Sequence, residues 1–436
     1  MKNKIIYFWS ILQSSFWFVP LLLVVSSIIA ATGFIYLDNN WDFASSGVIS
    51  FYVHGGADAA RSILSTIAGA MIGVAGTVFS ITLVALTLAS SQFGPRLLQN
   101  FMHDRINQVV LGSYIATFTY CLLVLRAVKS DGEMAFIPNI SITFAIVLAI
   151  VNILLLVVFI HHISVNIQAD QVISNVNLNL RRNFKRLFPK EENGNDLSEI
   201  DEEKLSGKKS SLKEKLEVYA QESGYLQSVD HTGLFNLAKD LEGLVEVKKH
   251  AGNFIIEGQV LALVLSANEL EVEKNDQVKS FFIIGRKRTS TQDVEFSIRQ
   301  MVEVAARALS PGVNDPFTAI TCIDKLTDII CYLTSAKLPS PYHFDEEGEV
   351  FLITKTISFE DVMNVSFNQI RQYGKDAPAV IIRLMEAMLT IYNFSKNEEQ
   401  RKIVKKHARM IMHLGKESFV EENDIDDLRA RYEQLI

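Results

Sequence analysis

The sequence predicts an α-helical integral membrane protein with four transmembrane helices and both termini cytoplasmic, followed by an α+β cytosolic domain. That domain consists of a small β-module and a helical C-terminal region. Three observations predict this. Four apolar stretches are each long enough to cross a bilayer, whose core of roughly 30 Å takes about 20 helical residues. Charge is partitioned along the chain, with seven Lys/Arg and six Asp/Glu in residues 1–165 against 35 and 43 in the other 271. Short apolar runs punctuated by glycine then give way to helical periodicity near Arg286. The whole-chain averages, a mean hydropathy of +0.19 and a net charge of −7, therefore describe neither part. An acidic chain with 49% hydrophobic residues is neither disordered nor built for nucleic acid. Its three cysteines and nine histidines show no disulfide framework and no metal-ligand spacing, so no metal and no cofactor are expected.

The spans fall at residues 11–37, 63–93, 106–125 and 136–160. The first is an anchor rather than a cleaved signal, because its apolar stretch exceeds the usual ~7–15 residues and three more spans follow. Lys2 and Lys4, then Arg96 and Arg105, then Arg181, Arg182, Lys185 and Arg186 all lie on one side of the spans. Positive residues are retained in the cytoplasm, so both termini are expected there, in a multi-pass protein of the cell membrane. Trp9 and Trp41 bracket the first span as interfacial anchors would, and Asn152 in the fourth is expected to hydrogen-bond a neighbouring helix.

The second span carries the strongest functional signal. Residues 63–93 contain no charge, and at 1.5 Å per residue they measure about 46 Å, half again the hydrocarbon thickness. Gly69, Gly73 and Gly76 form a GxxxG-type series that lets helix backbones approach, so they are expected to pack helices. Thr66, Ala70, Gly73, Thr77, Ser80, Val84, Thr87 and Ser91 recur every three or four residues and share one face. Such a hydroxylated, uncharged face suits a pore wall, with Thr66, Gly73, Thr77, Ser80, Val84, Thr87 and Ser91 lining it and Val84, Phe79 or Phe93 as constriction. The alternative is that the hydroxyls bond back to the preceding turn and the small residues pack inside one bundle.

Residues 166–222 read as a connecting helix, over 168–188 and stopped by Pro189, followed by a charged linker over 189–211. Residues 223–285 read as the β-module, with strands in Ser223-Gly-Tyr-Leu-Gln-Ser-Val-Asp230, at 244–247 and in 251–262, and with Asp230 capping a helix to Leu241. Its glycine-turn pattern resembles the half-motifs of barrel-sandwich (lipoyl or biotinyl-like) domains. No lysine stands where a carrier would bear one, so an unmodified module is implied. In 286–436, Ser290 and Asp293 form a capping box for a helix to Leu309, Pro311-Gly312 ends it, and Asn314 or Asp315 caps the next, with Pro316 at its first position. A hairpin is expected at 349–359, then helices at 360–373, 378–393, 398–412 and 425–435. Arg401, Lys402, Lys405, Lys406 and Arg409 give one of these a basic face.

Around the Pro311-Gly312 turn, Arg307, Ser310, Asn314, Asp315 and Thr318 are concentrated as a possible cytosolic ligand turn. Helix-stop and helix-start chemistry calls for the same residue types. No nucleophile elbow, zinc-protease motif or dinucleotide fingerprint occurs, so no catalytic residues are named and the chain is not expected to be an enzyme.

Four ordered segments carry a family resemblance: Ser90-Ser-Gln-Phe-Gly-Pro-Arg-Leu-Leu98, Ser223 to Asp230, Arg288-Thr-Ser-Thr-Gln-Asp293, and Ala308-Leu-Ser-Pro-Gly-Val-Asn-Asp-Pro-Phe-Thr-Ala319. Together they resemble the bacterial membrane proteins catalogued as domain-of-unknown-function family number 2254. The resemblance implies an integral membrane protein with a cytosolic domain, and no reaction or ligand.

The expected partners are the lipid bilayer, further copies of the chain in a homo-oligomer, and inorganic ions. The leading reading is an ion channel or channel-like permeation protein with the second span on its axis. Two others stand beside it: a membrane-anchored sensor or scaffold, and an enzyme with a ligand at the Ser310 to Asp315 turn.

Overall fold

The computed structural model describes residues 16–40, 56–94, 104–130, 136–166, 168–189, 202–269 and 272–435. Two compact units divide after Val172.

Among the described residues, four helices are long and apolar enough to cross a membrane: α1 (Phe18–Asn40), α2 (Ala57–Phe93), α3 (Arg105–Ala127) and α4 (Asn139–Asn166). They are the four spans expected from hydropathy. Trp9, Trp41 and Arg96 lie outside the described residues. The least apolar of the four, α3, is the most enclosed: it packs against each of the other three, and half of its apolar stretch is buried. It carries polar groups that would be costly in lipid and are paired inside instead. Ser113 donates to Asn152 Oδ1 at 2.7 Å, Asn152 Nδ2 donates to Thr117 at 2.7 Å, and the Tyr114 hydroxyl donates to the Asn152 carbonyl at 2.6 Å. Asn152 thus makes the interhelical bond its position implied. Asp38, near the end of α1, caps α4 by accepting from the Ile140 and Ser141 amides at 2.8 and 2.9 Å and from the Ser141 hydroxyl at 2.6 Å.

Helices α1 and α3 approach closely at Gly112. A Cβ there would lie 2.8 Å from Pro20 Cα and 2.9 Å from Leu23 Cδ1, so backbone would have to move to admit it. Gly112→Ala is therefore expected to destabilise the bundle by about 1–3 kcal/mol, and Gly112→Leu by more. Thermal unfolding in detergent measures this, and an unchanged midpoint for both variants would rule out the close approach.

The division falls inside α5 (Ala169–Leu187), whose Ile173, Val176, Leu180 and Phe184 are buried at helical spacing. The expected linker contains structure. Residues 202–211 form α6 (Glu202–Ser211), held by Lys208, whose Nζ donates to the Val350 carbonyl at 2.8 Å and lies 3.8 Å above the Phe351 ring. Its polar composition hid it, since lysines and the single apolar Leu205, packed beside Val350, dock it rather than an apolar stripe.

Strands β1 (Glu214–Tyr219), β2 (Gly224–Val229), β3 (Leu244–Val247), β4 (Phe254–Ile255), β5 (Val260–Ser266) and β6 (Phe282–Gly285) follow, with α7 (His231–Asp240) after β2 and α8 (Val272–Lys279) after β5. Asp230 caps α7 by accepting from the Gly233 amide at 2.9 Å. Next come α9 (Val294–Ala308) and α10 (Pro316–Leu333), and then β7 (Tyr342–Phe344) and β8 (Val350–Ile353). Two sheets result, ordered β1-β5-β3-β8-β7 and β4-β2-β6.

The β-module is therefore not closed at residue 285: β8 returns from beyond two helices to lie parallel to β3. That crossover is absent from the barrel-sandwich half-motif, and local glycine spacing could not reveal it. The two sheets share a core that includes Leu226, Leu234, Val245, Ala262 and Leu352.

The hairpin expected at 349–359 is instead β7–β8. Its turn is made by Asp345, which accepts from the Glu347 and Glu349 amides at 3.0 and 2.9 Å, and by Gly348 at φ +81°. The chain ends in α11 (Phe359–Tyr373), α12 (Pro378–Phe394), α13 (Glu398–Ser418) and α14 (Glu422–Glu433). Helix α12 packs on α10, α13 and α14, while α9 packs on α10 and α11. Ser290 does not cap α9. Asp293 does, accepting from the Phe296 amide at 3.0 Å.

Candidate functional site

The side of α2 that meets the other spans is made of small and apolar residues. Ala60, Leu64, Ala68, Met71, Ala75, Val78, Ala85 and Ala89 are buried at a spacing of three or four, and Thr82 joins them. The hydroxyl stripe lies on the rest of the helix. Thr66, Gly73, Thr77, Ser80, Val84, Thr87 and Ser91 are all exposed, as are Gly69 and Gly76. A Cβ added at Gly69, Gly73 or Gly76 would meet nothing within 4 Å. Among the described residues the three glycines thus meet no other helix of the chain, whereas Gly112, with the small Ala116 four residues on, does.

The hydroxyls donate backwards along α2. Thr66 donates to Ser62 O at 2.7 Å, Thr77 to Gly73 O at 3.3 Å, Ser80 to Gly76 O at 2.9 Å, Thr87 to Leu83 O at 2.9 Å and Ser91 to Leu88 O at 2.9 Å. With each proton used on the helix, the outward-facing oxygens offer lone pairs, so the stripe presents acceptors to whatever approaches it. Val84 is 60% and Phe79 45% exposed, placing apolar side chains among those acceptors. Phe93 is the last residue of α2, and its side chain lies outside the described residues.

The turn around Pro311-Gly312 is assembled largely by its own hydrogen bonds. Ser310 donates to the Arg307 carbonyl at 2.6 Å, and Arg307 lies 3.8 Å from Glu303. Asp315 caps α10, accepting from the Thr318 amide at 3.1 Å and from its hydroxyl at 2.6 Å. Asn314 holds a left-handed φ of +51°, the conformation that lets the chain turn from α9 into α10. The Ser310, Asp315 and Thr318 side chains are thus engaged in helix-stop and helix-start bonds, and Val313 and Phe317 stand exposed beside them. None of the five lines the cavity of about 230 Å³ that Phe188, His231 and Lys355 help to bound.

On the basic helix α13, Arg401 pairs with Glu398 at 2.8 Å and Lys406 with Glu360 at 2.6 Å, while Arg401 and Lys405 lie over the Tyr392 ring. Among the described residues no three His, Cys, Asp or Glu side chains converge closely enough to hold a metal ion.

Comparison with known proteins places this architecture. A family model described as "Predicted membrane protein (DUF2254)" matches residues 13–390. An uncharacterized protein of Mycobacterium bovis is 31% identical over 371 residues, covering 84% of this chain and 70% of that protein. An uncharacterized protein of Mycobacterium tuberculosis matches to the same extent. No solved structure matches the chain. With four apolar helices followed by a mixed α/β region and a helical C-terminal region, and with most of its length matched by one family model, this chain belongs to the DUF2254 family of predicted membrane proteins.

Proposed function

We propose that the protein assembles through α2 into a homo-oligomer of the cytoplasmic membrane and passes small inorganic cations along the axis where the α2 helices converge. One observation carries this reading: the Gly69, Gly73 and Gly76 side of α2 is open in the single chain. Glycine inside a helix costs about 1 kcal/mol relative to alanine. Close packing against another helix is what returns that cost in a bilayer, and among the described residues these three positions have no such neighbour. The hydroxyl stripe beside them offers acceptor oxygens, which favours a cation over an anion. Val84 and Phe79 supply apolar constrictions of the kind that gate by dewetting. The distribution of Lys and Arg beside the spans supports a cytoplasmic location for the C-terminal unit.

Gly73→Leu is expected to dissociate the assembly in mild detergent, read as mass by light scattering. Wild type in planar bilayers is expected to show unitary currents, blocked by Ser80→Trp and raised by Val84→Ser. A monomeric wild type, or an oligomer silent across voltage, tension and pH, would overturn the proposal.

A further inference from the structure

The C-terminal unit contains a cavity of about 230 Å³ that neither the permeation reading nor the turn at Ser310 uses. It lies where five segments meet: the end of α5, the start of α7, the chain after β3, the start of α9, and β7 and β8 with the approach to α11. Ligand sites of drug-like size occupy about 300–1,000 Å³, so this one fits a compact molecule. Part of its wall is apolar, from Phe188, Val247 and Ile357, and part is basic, from Lys249, Lys355, His231 and His343.

The charges in the wall do not cancel. Its acids, Asp293 and Glu295, are already held by arginine: Arg288 bonds Asp293 at 2.6 and 2.8 Å and Glu295 at 3.5 Å, and Arg299 bonds Glu295 at 3.1 Å. Lys249 and Lys355 have no ion-pair partner among the described residues. The His231 and His343 rings stand with their centres 5.7 Å apart. His343 Nε2 lies 3.2 Å from the Thr354 hydroxyl, which itself bonds the Pro341 carbonyl. His250, also in the wall, is taken up by Ala251 and Asn253. The start of α7 adds the positive end of its dipole, since His231 is its first residue.

We propose that this cavity binds a small organic phosphate, a phosphomonoester with a compact apolar or ring-bearing group. The two unpaired lysines match a phosphomonoester dianion, the imidazoles offer further donors to its oxygens, and the apolar wall receives the organic part. Burial holds His231 below the ordinary histidine range against the opposing pull of Asp230, and burial together with His231 does the same for His343. Burial therefore disfavours charge on both rings, and the excess positive charge of the wall rests on the lysines. Leu187 and Phe188, which also line the cavity, close the helix that follows the fourth span in the chain. The proposal is independent of whether the spans conduct.

The test titrates full-length protein in detergent with phenyl phosphate, phenol and inorganic phosphate by calorimetry, with hydrogen exchange to locate the contact. Phenyl phosphate is expected to bind and to protect residues 350–357, with phenol and inorganic phosphate each weaker by about tenfold or more. Lys249→Ala and Lys355→Ala should each weaken phenyl phosphate by about tenfold or more, and Lys402→Ala, at a residue that does not line the cavity, should leave it unchanged. Three outcomes would overturn the proposal: no binding of phenyl phosphate, undiminished binding in both lysine variants, or phenol binding as tightly as phenyl phosphate.

Discussion

Asp293→Ala is expected to cost the C-terminal unit about 3–5 kcal/mol, the range found when one partner of a buried ion pair is removed. Asp293 is 2% exposed and its carboxylate does three things. One oxygen accepts from Arg288 Nε at 2.6 Å. The other accepts from Arg288 Nη2 at 2.8 Å and caps α9 through the Phe296 amide at 3.0 Å. Gly252, at φ +97°, crosses so close that a Cβ there would sit 2.5 Å from Asp293 Oδ2. Alanine would leave the Arg288 guanidinium, 18% exposed, with only Glu295 at 3.5 Å, and would uncap the helix.

Asp293→Asn keeps a capping oxygen and is expected to lose less. Arg288→Met combined with Asp293→Leu removes both charges and should recover part of the loss, because the penalty comes chiefly from the charge left behind. Urea unfolding of the full chain, followed by hydrogen exchange in α9, measures all three. A cost for Asp293→Ala below about 1 kcal/mol, the value of a cap alone, would show that the ion pair contributes nothing.

The second large effect is expected from acid. His407, on α13, is 1% exposed and its Nε2 has no hydrogen-bond partner among the described residues. Burial, then the charges of Lys406 and Arg371, push its pKa down to about 4, with Glu360 opposing. In the unfolded chain the ring takes up its proton near the ordinary 6.5. Between these values the unfolded state binds more protons than the folded one, so stability falls as pH drops from about 6.5 to about 4 and is unaffected by this group above that window. The full difference corresponds to about 3 kcal/mol. His407→Met has nothing to titrate, and its unfolding free energy should decline less steeply across the same pH range, whatever its value at pH 7. Parallel pH profiles for the two proteins, measured by hydrogen exchange in α11 and α13, would exclude His407 as the acid-sensitive group.

Most of the secondary structure was legible because it rests on local chemistry. The spans announce themselves by length and lack of charge, and Asp230, Asp315 and Pro316 stand where helix starts require them. The readings that failed share a cause. Helix α6 is held by Lys208 reaching Val350 and Phe351, far along the chain. Strand β8 pairs with β3 across three intervening helices. Ser290 fits a capping pattern, but Asp293 is positioned by Arg288 and Gly252 and takes the role. Each outcome depends on which distant group arrives, and no window of sequence contains that.

The functional faces divide in the same way. The sequence alone determined that α2 carries a glycine series and a hydroxyl stripe at helical spacing, because helical periodicity is a property of consecutive residues. Only the tertiary structure decided that this side is left open by the other spans while Gly112 makes the close contact. His231, Lys249, His343 and Lys355 had no shared motif to connect them, being separated by strands and helices. The crossover that carries β8 back beside β3 brings them to one cavity. Proximity between residues distant in the chain is a product of packing, and packing is settled by the whole core together.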